Sequence, residues 1–333
     1  MPLRLSNMPP RARLLIDTDP GIDDALALLL AFASPGISVE AVTTVAGNVS
    51  VDLATDNLLR ILGVVRPDPL PRIARGADTP LARPLEHAAH VHGDDGLGHV
   101  DRLVEPDGRP RYPLAPHALE TLDGADLILE TAERLGPELT VVALGPLTNL
   151  ALALSRGART LARVARVVVM GGAVREAGNV TPAAEFNFHV DPEAAAAVFD
   201  AGLPLELVPL DVTRQVLLRP SHLARLGADT PVTRFVSDFT RHGFAFADEW
   251  GDGGMAMHDP LAVGVALDPG LVTFEPLHLE VECGGRHTRG MVVADRRPIR
   301  PHRKRPANAR VAVAVDGPRF LDLLVDRLCP ASR

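Results

Sequence analysis

Short apolar runs alternate with longer amphipathic segments along the first two thirds of the chain. The apolar runs are rich in Val, Leu and Ile, as expected of strands that are buried on both faces. They predict strands at residues 13–17, 39–44, 139–144, 164–170 and 205–210. The segments between them place apolar residues at helical spacing, and they predict helices at residues 25–33, 52–62, 125–135, 147–156 and 192–201.

This alternation predicts an α/β fold with an open, mostly parallel, Rossmann-like sheet that is covered by helices on both faces. Such sheets bind ligands beyond the carboxyl ends of their strands. Polar motifs lie there: Asp17 ends the first predicted strand and three more aspartates follow it, Asn48 follows the second, and Leu144 and Met170 end two others. We therefore expect one cleft in a single domain over residues 1–333, with residues 1–12 as an extended or disordered N-terminal segment.

The strongest chemical signal is a stretch of eight residues that contains Asp17, Asp19, Asp23 and Asp24. Carboxylates so close together raise the cost of ionising one another, and a bound cation removes that cost. Because no thiolate or imidazole cluster lies nearby, the pattern favours a hard cation such as Ca²⁺ or Mg²⁺. The alternative is an acidic helix start, which would account for Asp23 and Asp24 but not for the other two.

These aspartates open a series of motifs that resembles the inosine-uridine-preferring nucleoside hydrolase family. The motifs stand in family order and cover nearly the whole chain. They are Asp17-Thr18-Asp19-Pro20-Gly21-Ile22-Asp23-Asp24, Thr44-Val45-Ala46-Gly47-Asn48, His92-Gly93-Asp94-Asp95-Gly96-Leu97-Gly98, Leu144-Gly145-Pro146-Leu147-Thr148-Asn149, Met170-Gly171-Gly172, Ala184-Glu185-Phe186-Asn187, Asp191-Pro192-Glu193-Ala194 and His258-Asp259-Pro260. The resemblance implies the family's fold and an enzyme that hydrolyses the N-glycosidic bond of ribonucleosides to ribose and free base.

By this resemblance, a Ca²⁺ cofactor is held by the carboxylates of Asp19, Asp24 and Asp259 and by the backbone carbonyl of Leu144. Ribose hydroxyls and a water would complete the ~6–8 oxygen ligands that calcium prefers. The ion lowers the pKa of that water, and Asp19 is the predicted catalytic base. Any residue type can supply a backbone carbonyl, so the apolar side chain of Leu144 does not weaken its assignment.

The predicted sugar-binding residues carry amide and carboxylate groups, which suit hydroxyls that both donate and accept hydrogen bonds. By resemblance, Asp23 and Asn187 meet the 2′- and 3′-hydroxyls, and Asn179 and Glu185 meet the 5′-hydroxyl. Glu185 and Asn187 are expected on the same side of an extended segment. Asn48 is a further sugar-binding candidate, although Asn48 and Asn179 have an alternative role as turn residues. The spacing before Asn179 is one residue longer than the commonest family pattern.

His258 directly precedes a predicted metal ligand and is predicted to protonate or orient the leaving base, because histidine titrates near neutrality. The alternative is a packed neighbour of the metal site. His92 is a substrate-binding candidate in a Gly-rich loop that is either a mobile flap over the site or an ordinary exposed loop. Phe186 and Trp250 are further substrate-binding candidates, and residues 239–250 either line a base pocket or form a buried aromatic helix face. The preference for purine or pyrimidine bases stays open.

The composition limits the classes of binding partner and the cellular compartment that we expect for this protein. The 46% hydrophobic content suits a large core, and no stretch approaches the ~20 apolar residues of a membrane span. The net charge of −8 argues against a nucleic-acid partner, since such binding depends on neutralising phosphates. The N-terminus lacks a secretory pattern, and only Cys283 and Cys329 occur, which favours the cytoplasm. The basic stretch 296–305 is interpreted as an exposed loop, and the family resemblance implies a homodimer or homotetramer.

Two other functions fit part of the pattern. Phosphatases of the haloacid dehalogenase class also carry two aspartates, separated by one residue, after a strand. They need a lysine to neutralise phosphate, however, and the only lysine is Lys304 in the basic stretch. The other alternative is a non-catalytic ribose- or nucleoside-binding protein on the same fold. The presence of every predicted metal-binding aspartate argues against it.

Overall fold

The structure is a computed structural model that describes residues 12–227, 229–298 and 305–329. Within these residues the strands are β1 (Ala12–Thr18), β2 (Ile37–Thr44), β3 (Arg72–Arg75), β4 (Leu139–Ala143), β5 (Arg166–Met170), β6 (Leu205–Val208), β7 (Leu217–Leu218), β8 (Met255–Ala256), β9 (Val272–Leu277), β10 (Leu279–Val281), β11 (Val292–Ala294) and β12 (Ala309–Val315). The helices are α1 (Ile22–Ala33), α2 (Val51–Val65), α3 (Ala89–His92), α4 (Gly124–Leu135), α5 (Thr148–Leu161), α6 (Phe186–Val190), α7 (Pro192–Asp200), α8 (Leu210–Thr213), α9 (Pro220–Leu223), α10 (Pro231–Trp250), α11 (His258–Leu267) and α12 (Gly317–Leu328).

Eight of these strands form a central sheet in the order β3-β2-β1-β4-β5-β6-β12-β9. Neighbouring strands in the sheet are parallel except for the pair β12 and β9, which is antiparallel. Two small antiparallel ribbons, β7 with β8 and β10 with β11, lie outside it. The predicted α/β fold with an open, mostly parallel sheet is confirmed.

The sheet is buried on both faces, as the continuous apolar runs predict. Successive side chains of a strand point to opposite faces. Accordingly, Leu14 and Ile16 of β1 pack into one apolar cluster, which includes residues of α1, α10, α11 and α12. Leu15 packs into a second cluster, which includes residues of α4, α5 and α7. All three side chains are fully buried.

The predicted elements occur with small differences at their ends, except after β6. The strand predicted for residues 205–210 ends at Val208, and Leu210 begins the short helix α8. Pro209 separates them, because a proline has no N–H with which to continue a strand ladder. At the other end of the chain, residues 1–11 of the predicted N-terminal segment lie outside the described residues, whereas Ala12 begins β1.

The C-terminal part of the fold was not predicted from the sequence. It contributes β9 and β12 to the sheet and the long helix α10 to the cluster on one face. Residues 299–304 of the predicted basic loop lie outside the described residues. Among the helices described, none combines the length and the apolar character that crossing a membrane requires.

Candidate active site

The carboxyl ends of β1 and β4 lie side by side where the strand order of the sheet reverses. Open α/β sheets bind their ligands at such a reversal. A cavity of about 940 Å³ lies at this edge. Most predicted site residues line it, namely Asp23, Asn48, His92, Leu144, Asn179, Glu185, Phe186, Asn187, Trp250, His258 and Asp259.

Three carboxylates, those of Asp23, Asp24 and Asp259, meet at the wall of this cavity. One carboxylate oxygen from each residue lies within 4.8 Å of the other two. Asp23 and Asp24 stand in the first turn of α1, and Asp259 stands in the first turn of α11, so two helix N-termini bring their partial positive charge to the group. The donor set consists of oxygen alone, which fits a hard divalent cation.

Burial and the repulsion of neighbouring carboxylates raise the pKa values of Asp23 and Asp259. The pKa of Asp259 lies well above its ordinary value because the carboxyl is buried and because Asp23 and Asp24 stand next to it. Burial, followed by the charge of Asp24, raises the pKa of Asp23 to about 7. A cation among these carboxylates would remove the repulsion and favour their charged forms. The residues present therefore fit a metal.

Asp19 is buried beside this group and is held by backbone from two other motifs. Its Oδ2 accepts a hydrogen bond from the backbone N–H of Asn48 at 2.7 Å. Its carboxylate lies so close to Gly47 and Gly145 that a Cβ on either residue would overlap it. Both glycines are therefore needed for this close approach. Burial, followed by the charge of Asp24, raises the pKa of Asp19 well above its usual value.

The side-chain amide of Asn48 donates hydrogen bonds to two aspartates. Its Nδ2 donates to Asp24 Oδ2 at 3.1 Å and to the backbone carbonyl of Asp19 at 3.3 Å. The side-chain carbonyl of Asn48 is the group left for a ligand. Asn48 thus fixes two aspartates relative to each other, while its contact with a substrate stays a prediction. We call Asp19, Asp23, Asp24, Asn48 and Asp259 the carboxylate wall.

The expected extended segment around Glu185 and Asn187 is wrong, because the short helix α6 begins at Phe186. Glu185 is the N-cap of this helix, and its carboxylate accepts the backbone N–H groups of Asn187 at 2.9 Å and of Gly172 at 2.8 Å. The helix start, and not strand alternation, brings Glu185 and Asn187 to the cavity. Burial raises the pKa of Glu185 to about 7.

The amide of Asn187 reaches the end of β4. Its Nδ2 donates to the backbone carbonyl of Leu144 at 2.6 Å, so the predicted main-chain metal ligand and a predicted sugar ligand are in direct contact. Asn179 lies in the loop before α6, and its Oδ1 accepts the N–H of Phe186 at 2.9 Å. The side-chain Nδ2 of Asn179 is the donor left for a ligand.

Both predicted histidines line the cavity, where His92 is buried and His258 is half-buried. His258 is the first residue of α11, and its Nδ1 is hydrogen-bonded to Thr213 Oγ1 at 2.8 Å. Burial, followed by the positive charge of Arg214, lowers the pKa of His258 to about 4. His92 accepts the backbone N–H of Ile22 at 3.1 Å through Nδ1, and burial lowers its pKa to about 4 as well. Both imidazoles are therefore neutral near pH 7, and His92 is not an exposed loop residue.

Comparison with known proteins decides the family. The sequence model of the inosine-uridine preferring nucleoside hydrolase family matches residues 14–322 of this chain. The chain belongs to this family. It is 38% identical over 318 residues to the pyrimidine-specific ribonucleoside hydrolase RihA of Shewanella sp. (strain ANA-3), covering 95% of each chain. It is also 38% identical to the pyrimidine-specific RihA of Escherichia coli O9:H4 (strain HS), covering 95% of this chain and 97% of that one.

Solved structures of other nucleoside hydrolases share the fold. The purine-preferring ribonucleoside hydrolase from Gardnerella vaginalis is 32% identical, with a TM-score of 0.85 and coverage of 95% of this chain and 98% of that chain. The plant nucleoside hydrolase PpNRh1 is 33% identical, with a TM-score of 0.86 and coverage of 97% and 100%. The predicted family and the predicted class of enzyme, an N-glycosidic hydrolase of nucleosides, are confirmed.

In this nucleoside hydrolase, α10 and its neighbours contribute a further set of residues to the lining of the cavity. We call His90, Phe246, Ala247, Trp250 and Met255 the outer wall; all five line the cavity. The rings of Phe246 and Trp250 lie 5.9 Å apart, and Trp250 is 69% exposed. Within residues 239–250, Phe239 is buried in the core, whereas Phe246 and Trp250 line the cavity, and their role in a base pocket stays a prediction.

Several residues at the cavity were not predicted from the sequence, among them His90, Arg214 and Met255. Arg214 follows Thr213 directly after α8, in a stretch where the sequence predicts the end of a strand. A cation just beyond a predicted strand end was the one signal that could have indicated it. His90 and Met255 carry no comparable signal, since both residue types are common in loops and cores.

Proposed function

We propose that this nucleoside hydrolase uses Ca²⁺ to hydrolyse the N-glycosidic bond of pyrimidine ribonucleosides, which releases ribose and the free base. One observation carries the proposal: the carboxylates of Asp23, Asp24 and Asp259, of which the last two are buried, meet at the wall of a cavity that is also lined by Glu185 and Asn187. Such a cavity offers oxygen ligands for a cation and hydrogen-bonding groups for a sugar side by side.

The proposed ligands of the cation are the carboxylates of Asp19, Asp24 and Asp259 and the backbone carbonyl of Leu144. The carboxylate of Asp23 lies within 4.8 Å of those of Asp24 and Asp259 and adds its negative charge to the site. These ligands are hard oxygens, which favours Ca²⁺ over Zn²⁺. When it is bound, the ion supplies positive charge that neutralises the carboxylates and makes a nearby water more acidic.

Asp19 is the proposed general base. The hydrogen bond from the backbone of Asn48 and the two glycines against the carboxylate hold Asp19 in one orientation. Asp19 takes a proton from a water on one face of the sugar while the water oxygen attacks the anomeric carbon and the bond to the base breaks. The remaining negative charge of the carboxylate wall favours the cationic character that the sugar ring develops.

Sugar binding is proposed for four residues of the cavity: Asp23 and Asn187 toward the 2′- and 3′-hydroxyls, and Asn179 and Glu185 toward the 5′-hydroxyl. His258 is proposed to orient the departing base. Its lowered pKa, about 4, supports a neutral imidazole that acts by hydrogen bonding. Thr213 at the Nδ1 of His258 leaves Nε2 for that contact.

The proposed base preference rests on the relatives. The two RihA enzymes, at 38% identity over 95% of this chain, are named pyrimidine-specific. The Gardnerella enzyme, at 32% identity, is named purine-preferring. The higher identity supports pyrimidine ribonucleosides as the preferred substrates of this protein.

The test is a panel of uridine, cytidine, inosine and adenosine, with free ribose as the readout. We expect uridine and cytidine to react at least ~10-fold faster than the purine nucleosides in kcat/KM, a ratio that pocket contacts commonly supply. Faster release from inosine or adenosine would refute the pyrimidine preference. A protein that binds nucleosides without releasing ribose would be a binding protein, and release of phosphate from a phosphomonoester would indicate a phosphatase.

A further inference from the structure

The loop that carries Asn179 joins β5 to α6 over residues 171–185 and contains no helix or strand. Its tip closes on itself, because the backbone N–H of Asn179 donates to the carbonyl of Ala184 at 3.2 Å. The side chain of Asn179 also accepts the N–H of Phe186 at 2.9 Å. Such short-range bonds shape the tip of the loop, but they do not hold it against the rest of the protein.

Two side chains at α8 provide that attachment. Asp211 accepts the backbone N–H groups of Val174 and Arg175, both at 2.8 Å, and so holds the first limb of the loop. Arg214 stands three residues further along and donates to the carbonyls of Ala177 at 3.0 Å and Gly178 at 2.9 Å. Residues three apart on a helical turn lie on one side of it. Gly178, one of the two residues that Arg214 holds, directly precedes Asn179.

Arg214 also lines the cavity. It is half-buried, and within the described parts of the chain no carboxylate forms an ion pair with it. Charged donors form stronger hydrogen bonds to carbonyls than neutral donors do. The guanidinium is thus committed to the backbone of the loop, where its fork can hold two neighbouring carbonyls at once.

We propose that Arg214 is a positioning residue that fastens the loop at residues 177–178 and thereby aims the amide of Asn179 at the 5′-hydroxyl of the substrate. The inference rests on the proposed function, since it assigns Asn179 to the sugar. Arg214 itself acts through the loop and does not touch the reacting atoms. Discrimination between a 5′-hydroxyl and a 5′-hydrogen should therefore depend on a residue whose two side-chain hydrogen bonds go to the backbone of the loop.

The experiment compares Arg214→Met, Arg214→Lys and Arg175→Met in the full chain. Met keeps the apolar stem and removes both donors, whereas Lys keeps one charged donor. Arg175 is the matched control, because it lies in the same loop but pairs with Glu275 at 2.8 Å on the exposed side. Two quantities are measured: hydrogen exchange of the loop amides, and kcat/KM for uridine and 5′-deoxyuridine.

We expect Arg214→Met to lose about 10- to 100-fold in kcat/KM on uridine, in line with hydrogen bonds to a charged group. The same variant should stay within about twofold of wild type on 5′-deoxyuridine, and its loop amides should exchange faster. Arg214→Lys should fall between wild type and Arg214→Met, and Arg175→Met should match wild type in both measurements.

Equal losses on both substrates would overturn the inference, because they would indicate general support of the site. Unchanged loop exchange in Arg214→Met would overturn it as well. If the Arg214→Met variant does not fold, the Arg214→Lys variant decides. An unaltered preference of Arg214→Lys for uridine over 5′-deoxyuridine would then overturn the inference. If wild type releases ribose from no nucleoside, the proposed function fails, and the exchange measurement alone then decides whether Arg214 fastens the loop.

Discussion

The carboxylate wall and the outer wall face the same cavity, yet they are built in opposite ways. The carboxylate wall stands where β1 and β4 end in the middle of the sheet, and two of its aspartates, Asp19 and Asp24, are tied to each other through the backbone and side chain of Asn48. The outer wall stands largely on one helix, α10, and its largest side chain, Trp250, is mostly exposed.

This difference suggests that the carboxylate wall serves catalysis and that the outer wall serves the selection of the base. Groups that must be placed within a fraction of an ångström benefit from rigid elements, and buried strand ends provide them. Groups that select a base need shape and apolar surface, which one face of a helix supplies. We therefore expect changes in the carboxylate wall to slow every substrate, and changes in the outer wall to alter which substrate is preferred.

The largest expected effect is that of Asp19→Asn, which removes the proposed base and a proposed ligand together. Turnover should fall beyond the ~10²–10⁴-fold that general base catalysis alone supplies, on purine and pyrimidine nucleosides alike. Asp94→Asn is the control, because Asp94 is exposed and pairs with Arg102 at 2.9 Å. Steady-state kinetics and a melting curve decide; near-normal activity in a folded Asp19→Asn protein would contradict the mechanism.

His258 lines the cavity directly before Asp259 in α11, and the effect of replacing it should depend on the leaving group. His258→Ala should slow uridine by ~10²-fold or more, because the departing base loses its hydrogen-bonding partner. A p-nitrophenyl riboside, whose phenolate leaves without protonation, should slow much less. Equal losses on both substrates, together with weaker calcium binding, would instead assign His258 to the support of Asp259.

Gly47→Ala tests the tight packing of the carboxylate wall without removing a functional group. The new Cβ would overlap Asp19 Oδ2, so the carboxylate has to move. A misplacement of about 1 Å can cost ~10²-fold, and the loss should be equal for uridine and the p-nitrophenyl riboside. Gly36→Ala is the control, since its Cβ would meet Leu267 at an ordinary 3.6 Å. Unchanged kinetics in Gly47→Ala would mean that this packing is not needed.

The smallest expected effect is that of Trp250→Ala in the outer wall. Loss of base stacking should cost about tenfold or less in kcat/KM and should change the ratio of uridine to inosine turnover. Trp250→Phe, which keeps an aromatic face, should recover most of that ratio. A loss as large and as uniform as that of Asp19→Asn would erase the distinction between the two walls.

The sequence predicts members of the carboxylate wall for a physical reason. A charged side chain placed directly after a buried strand, such as Asp19 after β1, has no role in packing, so its presence indicates a site. The position of Asp259 is predictable only through the family motif, because α11 approaches α1 through the tertiary fold.

Local structure is where prediction from the sequence fails. Glu185 and Asn187 fit an extended segment by spacing, but the carboxylate of Glu185 caps α6 and turns the chain into a helix. Leu210 looks like the end of a strand until Pro209 is considered. Arg214, His90 and Met255 reach the cavity through contacts between segments far apart in the chain, and the pattern around each residue does not encode such contacts.

The central claim is that the buried carboxylates hold a calcium ion on which turnover depends, and metal removal tests it most directly. The protein is chelated exhaustively, its calcium content is measured, and ribose release from uridine is followed while Ca²⁺ or Zn²⁺ is added back. We expect activity to vanish with the metal, to return with Ca²⁺ better than with Zn²⁺, and the melting temperature to rise on binding. Full turnover in a protein that demonstrably contains no calcium would contradict the claim.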